Sequence, residues 1–294
     1  MNLLPLSPLV SEHWLAAHLD DPNLVVLDAT ALLPTPRHDA DYRCFSGYND
    51  WVREHIPGSR HADLTVAFSD QASPYHFTAP SPNDLAQRLS NFGVANGDAV
   101  VIYDRTGGNW AARLWWMLHT ISVPAAVLDG GLKSWRTAGN VLACGEAVAP
   151  TPAAVPIVPV PIPNSWATVA DVAAISQGDM PGTLVCALPT AGYEGTTPSR
   201  YKRRGHIPRS LSLPTNSTLD SEGRLLDQAR LAAKIGEYLG ASQSPIVLYC
   251  GGGIAAASIA LALTCLGRSD VMLYDGSLEE WADEPSLPLD LGAG

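Results

Sequence analysis

The chain has 294 residues, of which 46% are apolar and 16% charged. That is core material for about two domains, and it argues against a disordered chain. A formal net charge of −11 argues against nucleic acid or an anionic membrane surface as the main partner, and no apolar run reaches membrane-spanning length.

In chain order, short apolar runs predict strands near 24–28, 99–103 and 125–128. Helical patterns near 11–19, 82–92 and 109–120 alternate with them. From Glu146 to Pro163 the character changes, with six prolines between Pro150 and Pro163. Such a segment predicts an extended, semi-rigid connector, and its valines and isoleucines predict that it lies against the rest of the molecule. Beyond it come strands near 183–187, 245–249 and 271–274 and helices near 168–177, 227–239 and 254–266. Strands alternating with helices predict an α/β protein whose mostly parallel sheets are covered on both faces. The expected division is a first domain over 1–145, the connector over 146–165 and a second domain over 166–294.

The two halves repeat each other. Asp104 and Cys250, Asp129 and Asp275, and Trp135 and Trp281 each stand 146 residues apart. Glu54-His-Ile-Pro-Gly58 returns as Gly205-His-Ile-Pro-Arg209, and Leu24–Ala29 pairs with Thr183–Ala187. A period this long marks two copies of one domain, not a solenoid.

The chemistry gathers at Cys250. The run Pro245-Ile-Val-Leu-Tyr-Cys-Gly-Gly-Gly-Ile-Ala-Ala-Ala-Ser258 predicts a buried strand, a tight loop with the cysteine at its rim, and a helix. Consecutive glycines let several N–H groups turn inward, and the helix N-terminus adds positive potential. Gly251, Gly252, Gly253, Ile254 and Ala255 are therefore the expected anion cradle for a nucleophilic Cys250 thiolate. Parallel sheets bind ligands at the carboxyl ends of their strands, where Cys250 falls. The five cysteines are widely spaced, with no Cys-x-x-Cys pair. They suit a reducing compartment better than a disulfide framework or a zinc site. Met1–Val10 lacks the basic start and long apolar core of a signal peptide, so the cytoplasm is the expected location.

Together, the duplicated Asp-Ala…His-Ile-Pro-Gly…Asp-Gly-Gly-Leu-x-x-Trp pattern and the single loop cysteine in the second copy resemble the two-domain rhodanese family. These are the thiosulfate and 3-mercaptopyruvate sulfurtransferases. The resemblance runs from about Leu9 to about Leu289 and implies two tandem rhodanese-like domains. It also implies a double displacement in which Cys250 takes sulfur from a small donor as a persulfide and yields it to a thiol or cyanide acceptor. It implies no metal or organic cofactor, and a monomer or weak dimer is the expected state. Asp104, in the place of the cysteine, would leave the first domain non-catalytic. A cysteine phosphatase of the same fold needs an arginine six residues after the cysteine, where Ala256 stands.

Several positions depart from the family pattern. Cys186-Ala187-Leu188 stands where Asp-Ala-Arg is usual, and Gly192 and Tyr201 fall at or near positions that carry donor-binding arginines. Gly252 takes the place of a serine in a Ser–His–Asp proton relay. His55 matches the relay histidine, but the Asp position falls near Cys44, so His55 is expected to be structural. A binding or regulatory module without turnover is the alternative reading. The basic run Arg200–Arg204 precedes the second His-Ile-Pro turn, and Arg200 or Arg204 is expected to replace the missing cations. Trp110, at the start of the helix after Asp104, is expected to face Cys250 from the first domain. Trp115 and Trp116 are expected to pack internally, and Asp129 and Asp275 to close turns.

Overall fold

The computed structural model describes residues 3–4, 7–146, 150–240, 242 and 244–293. Two five-stranded sheets form, each entirely parallel. In the first, the order across the sheet is Leu9–Val10, Ala125–Leu128, Ala99–Tyr103, Leu24–Asp28 and Arg60–His61. In the second it is Trp166–Ala167, Val271–Tyr274, Ile246–Tyr249, Thr183–Cys186 and Leu211–Ser212. The two orders correspond strand for strand. A small antiparallel pair, Ala31–Leu32 with Phe45–Ser46, branches from the first unit.

The central strands form where unbroken apolar runs permit burial on both faces: every residue of Ala99–Tyr103 and of Ile246–Tyr249 is buried. Helices begin at side-chain caps, with Ser11, Ser81, Thr168 and Asp227 each accepting a backbone N–H. The predicted interior strands and the helices agree with the observed ones to within about two residues.

Three apolar clusters hold the molecule together. One lies on the outer face of the first sheet and one on the outer face of the second. The third is shared: the helices Asn109–Thr120 and Ile254–Cys265 meet between the sheets, and their residues form a continuous core. Both helices are buried nearly all round, as expected of helices sandwiched between layers. Trp115 and Trp116 are buried here, and Trp116 meets Trp166 of the second unit edge-on at 6.3 Å.

The connector lies against the first unit, as its composition predicts. Ala153 N–H donates to Ser90 O, Ile157 N–H to Ser90 Oγ, and Ile162 N–H to Thr120 O. Ile157 is buried while Val155, Val158 and Val160 are exposed.

The interface also carries a reciprocal device. Asp129 Oδ1 accepts Leu225 N–H from the second unit at 2.9 Å, and Asp275 Oδ2 accepts Ala79 N–H from the first at 2.8 Å. Both aspartates and both donor partners stand 146 residues apart. Beyond closing turns, these aspartates stitch the two copies face to face.

Candidate active site

Cys250 lies between the central strand of the second sheet and the helix Ile254–Cys265. It is only 2% exposed, so it forms the floor of the site and not the rim that the sequence predicts. The side chain of Ser277, fully buried and with φ at +49°, ties the loop from behind. Its Oγ accepts N–H bonds from Cys250 at 3.2 Å and Gly253 at 3.1 Å, and its hydroxyl donates to Tyr274 O. The N–H groups of Gly251 and Gly252 have no acceptor among the described residues. With the unpaired first-turn amides of the helix, they are the donors left for an anion.

The three glycines are needed for different reasons. Gly253 has φ +75°, and a Cβ there would stand 2.9 Å from Arg113 Nη1. Gly251 does not have positive φ; a Cβ there would run into the Tyr201 hydroxyl, which sits where a side chain would start. At Gly252 a Cβ would meet Glu279 Oε2 at 3.7 Å and Tyr42 Oη at 3.8 Å, which are ordinary contacts.

Above Cys250 opens a cavity of about 560 Å³ between the two units. Gly251, Gly252, Ile254, Ala255, Arg200 and Trp110 all line it. Trp110 reaches it from the first unit and packs edge-on against Phe77 at 5.0 Å. Arg200 is anchored by two bonds from Nη2, to Leu33 O at 3.0 Å and Pro34 O at 2.7 Å, while its Nε has no partner. Gly253 is not in the cavity wall, and its N–H is committed to Ser277.

Arg204 does not face Cys250. Its Nε pairs with Asp39 at 2.7 Å on the surface, and it is absent from the cavity wall. Lys202 pairs with Asp283, and Arg203 donates to the carbonyls of Trp281, Ala282, Glu284 and Leu287. Most of the basic run is therefore interdomain stitching and capping of the last helix, and only Arg200 reaches the site. His55 stacks on Trp51 at 4.1 Å, and its Nδ1 bonds Trp51 O, as befits a turn histidine.

Sequence reasoning passes over Tyr42, Tyr201 and Ser277. Tyr201 appears there only as the place of a missing arginine, and Tyr42 sits in an irregular loop without periodicity. Ser277 carries one usable signal, since it aligns 146 residues on from Gly131 in the repeat. A buried cation also stands behind the loop. Arg113 of the first unit pairs with Asp275, donates to Phe77 O and lies 5.2 Å over the Trp166 ring.

The corresponding turn of the first unit shows what such a loop can hold. Asp104 is buried, and its carboxylate accepts N–H bonds from Thr106, Gly108, Trp110 and Ala111 at 2.8–3.0 Å. Burial pushes its pKa up, and these amide donors pull against that shift. The half-buried thiols of Cys44 and Cys265 and the buried thiol of Cys186 are held in the protonated form: burial raises Cys44 to about 11, and Cys186 and Cys265 to about 12. Among the described residues no group of three or more His, Cys, Asp or Glu is placed to hold a metal ion.

Comparison with known proteins agrees with this geometry. The Rhodanese-like domain family matches residues 11–138 and 195–284. The 3-mercaptopyruvate sulfurtransferase of Escherichia coli (strain K12) is 32% identical over 287 residues, covering 96% of this chain and 97% of the relative. The Thiosulfate/3-mercaptopyruvate sulfurtransferase 1, mitochondrial, of Arabidopsis thaliana is 31% identical over 303 residues, covering 96% and 78%. Among solved structures, SseA from Escherichia coli matches with a TM-score of 0.76 at 30% identity, over 92% of this chain and 98% of that one.

Proposed function

The chain belongs to the rhodanese-like domain family, and from that premise we propose that it is a sulfurtransferase working through a Cys250 persulfide. The Cys250 thiolate attacks the transferable sulfur of a small donor, the thiol sulfur of 3-mercaptopyruvate or the outer sulfur of thiosulfate, and the rest of the donor departs. The outer sulfur then passes to a thiol or to cyanide. The observation that carries this reading is that Cys250 alone of the five cysteines lines the cavity between the units, at a helix N-terminus with free amides around it. Those amides suit a thiolate or a persulfide anion, and the Asp104 carboxylate in the sister loop supports the assignment.

Arg200 is the donor-binding cation in this reading. Among the described residues Arg200 is the one cation in the cavity wall, and the loop itself has no basic side chain. We assign 3-mercaptopyruvate as the preferred donor on that basis. The first domain is non-catalytic and supplies Trp110 and the opposite wall. The domain limits are 1–145 and 166–294, and the state is a monomer or weak dimer. Five free cysteines favour a reducing setting, taken as the cytoplasm. Among the described residues no helix is long and apolar enough to cross a membrane.

The test is intact mass after mixing with thiosulfate, 3-mercaptopyruvate or glutathione persulfide. Wild type gains about 32 Da, one sulfur, and Cys250→Ser does not. Sulfur on Cys44, Cys186 or Cys265, or none at all with any donor, overturns the assignment in favour of a binding module.

A further inference from the structure

Two phenols stand over the Cys250 loop, and neither belongs to the machinery described so far. Tyr201 Oη fills the space above Gly251, and Tyr42 Oη lies against Gly252. Both residues line the cavity with Cys250, and neither hydroxyl has a partner among the described residues. Their rings meet edge-on at 6.1 Å. They come from different units, and the contact is built: Ala40 N–H donates to Ser199 O at 2.9 Å and to Tyr201 O at 3.2 Å. Asp41 holds the Tyr42 loop by accepting bonds from Arg37 and Arg43. Tyr42 also stacks on His76 at 3.9 Å, and His76 Nδ1 bonds Glu279 Oε1 at 2.5 Å.

We infer that Tyr201 and Tyr42 are the oxyanion donors of this site, holding the carbonyl oxygen of a 2-oxo-acid sulfur donor while its carbon–sulfur bond breaks. The inference rests on the sulfur transfer proposed above and deepens it. With Arg200 on the carboxylate, the neighbouring carbonyl of 3-mercaptopyruvate falls to the two phenols. The Cys250 thiolate forms a bond to the donor sulfur as the sulfur–carbon bond breaks, and the electron pair moves into an enolate whose oxygen carries the charge. The phenols stabilise that oxygen by donating hydrogen bonds, without surrendering their protons. The proton displaced from the donor thiol ends on the carbon, giving pyruvate and the Cys250 persulfide anion. Burial pushes both phenol pKa values up, so both remain O–H donors at neutral pH. Thiosulfate needs none of this, because sulfite leaves with its own electron pair and no enolate forms.

The experiment is single-turnover loading of Cys250, followed by mass, in wild type, Tyr201→Phe and Tyr42→Phe. The probes are 3-mercaptopyruvate and two donors whose sulfur transfer forms no enolate, thiosulfate and glutathione persulfide. Phenylalanine keeps each ring in place and removes only the hydroxyl. Tyr201→Phe should slow loading from 3-mercaptopyruvate by about 10²-fold and from the other donors by less than about 2-fold. Tyr42→Phe should show the same split at smaller size. Equal slowing with every donor makes the phenols structural and overturns the proposal, as does unchanged loading from 3-mercaptopyruvate. If wild type loads only from the donors that form no enolate, the phenol role falls while Cys250 chemistry stands. If no donor loads wild type, the sulfur-transfer reading falls as well.

Discussion

In the first unit, the turn after the central strand contains Asp104, and its carboxylate takes four amide N–H bonds from its own loop. In the second unit, the same turn contains Cys250, and the amides of Gly251 and Gly252 have no acceptor of their own. The helix behind the first turn opens at Asn109 and the one behind the second at Ile254, so the second loop is one residue tighter relative to its Asp104 or Cys250. Behind the loops, Gly131 touches the Asp104 carbonyl so closely that a Cβ there would overlap it. Its counterpart Ser277 instead turns its hydroxyl to hold Cys250 and Gly253. One cradle is filled from within and works as a structural joint, while the other presents its donors to a ligand. The same backbone device thus forms a joint in one domain and, in the function proposed above, serves chemistry in the other.

The sharpest way to break this comparison is to remove the anion or nucleophile from each loop. Asp104→Ala leaves four amides without an acceptor, two of them buried, and should cost roughly 3 kcal/mol in chemical denaturation. Persulfide formation per folded molecule should survive. Cys250→Ala should do the opposite, abolishing transfer while shifting stability by no more than about 1 kcal/mol. If Asp104→Ala proves neutral, the first loop is not a joint held by its carboxylate. Next in size is Gly253→Val, where positive φ and the nearby Arg113 combine. A strained backbone of about 1–3 kcal/mol, transmitted to the cradle, should slow loading by about 10²-fold. Near-normal loading would mean that the loop geometry is not what activates the thiol.

The sequence revealed the loop because all its parts are local: a buried strand, three glycines and an apolar helix follow one another without a break. The repeat likewise located the Asp129 and Asp275 turns, but not their partners Leu225 and Ala79, because only the folded interface brings those together. The edge strands Leu9–Val10, Arg60–His61, Trp166–Ala167 and Leu211–Ser212 were illegible for a simpler reason. Two residues are too few to show any period. Tyr42 was hidden because its role depends on Tyr201, about 160 residues away in sequence. Gly251, expected from the sequence as part of the cradle that turns N–H groups inward, clears space for the Tyr201 phenol and does not adopt positive φ.

Arg200 and Arg204 look alike in sequence and divide in the structure. Arg200→Ala removes the cavity's cation and should weaken donor use by roughly 1.5–3 kcal/mol, or about one to two powers of ten in kcat/KM. Unchanged donor use would mean that Arg200 only braces the Leu33–Pro34 turn.

Arg204→Ala should have the smallest effect of all. The Arg204–Asp39 pair is 38% and 41% exposed on its two sides, and a solvent-screened ion pair of that kind contributes little. Arg204 still touches the site indirectly, because Asp39 Oδ1 also accepts Ser199 N–H, and Ser199 O receives Ala40 N–H beside Tyr42. Removing the arginine leaves both of those backbone bonds in place, so the contact between the Tyr42 loop and Tyr201 should persist. Loading rates should therefore stay within about 2-fold of wild type for every donor, with any loss growing slightly at low salt, where the surface pair is least screened. A tenfold loss specific to 3-mercaptopyruvate would show that the Asp39 joint sets the spacing of the two phenols. A tenfold loss with thiosulfate as well would place Arg204 beside Arg200 as a donor-binding cation, contrary to its position outside the cavity wall.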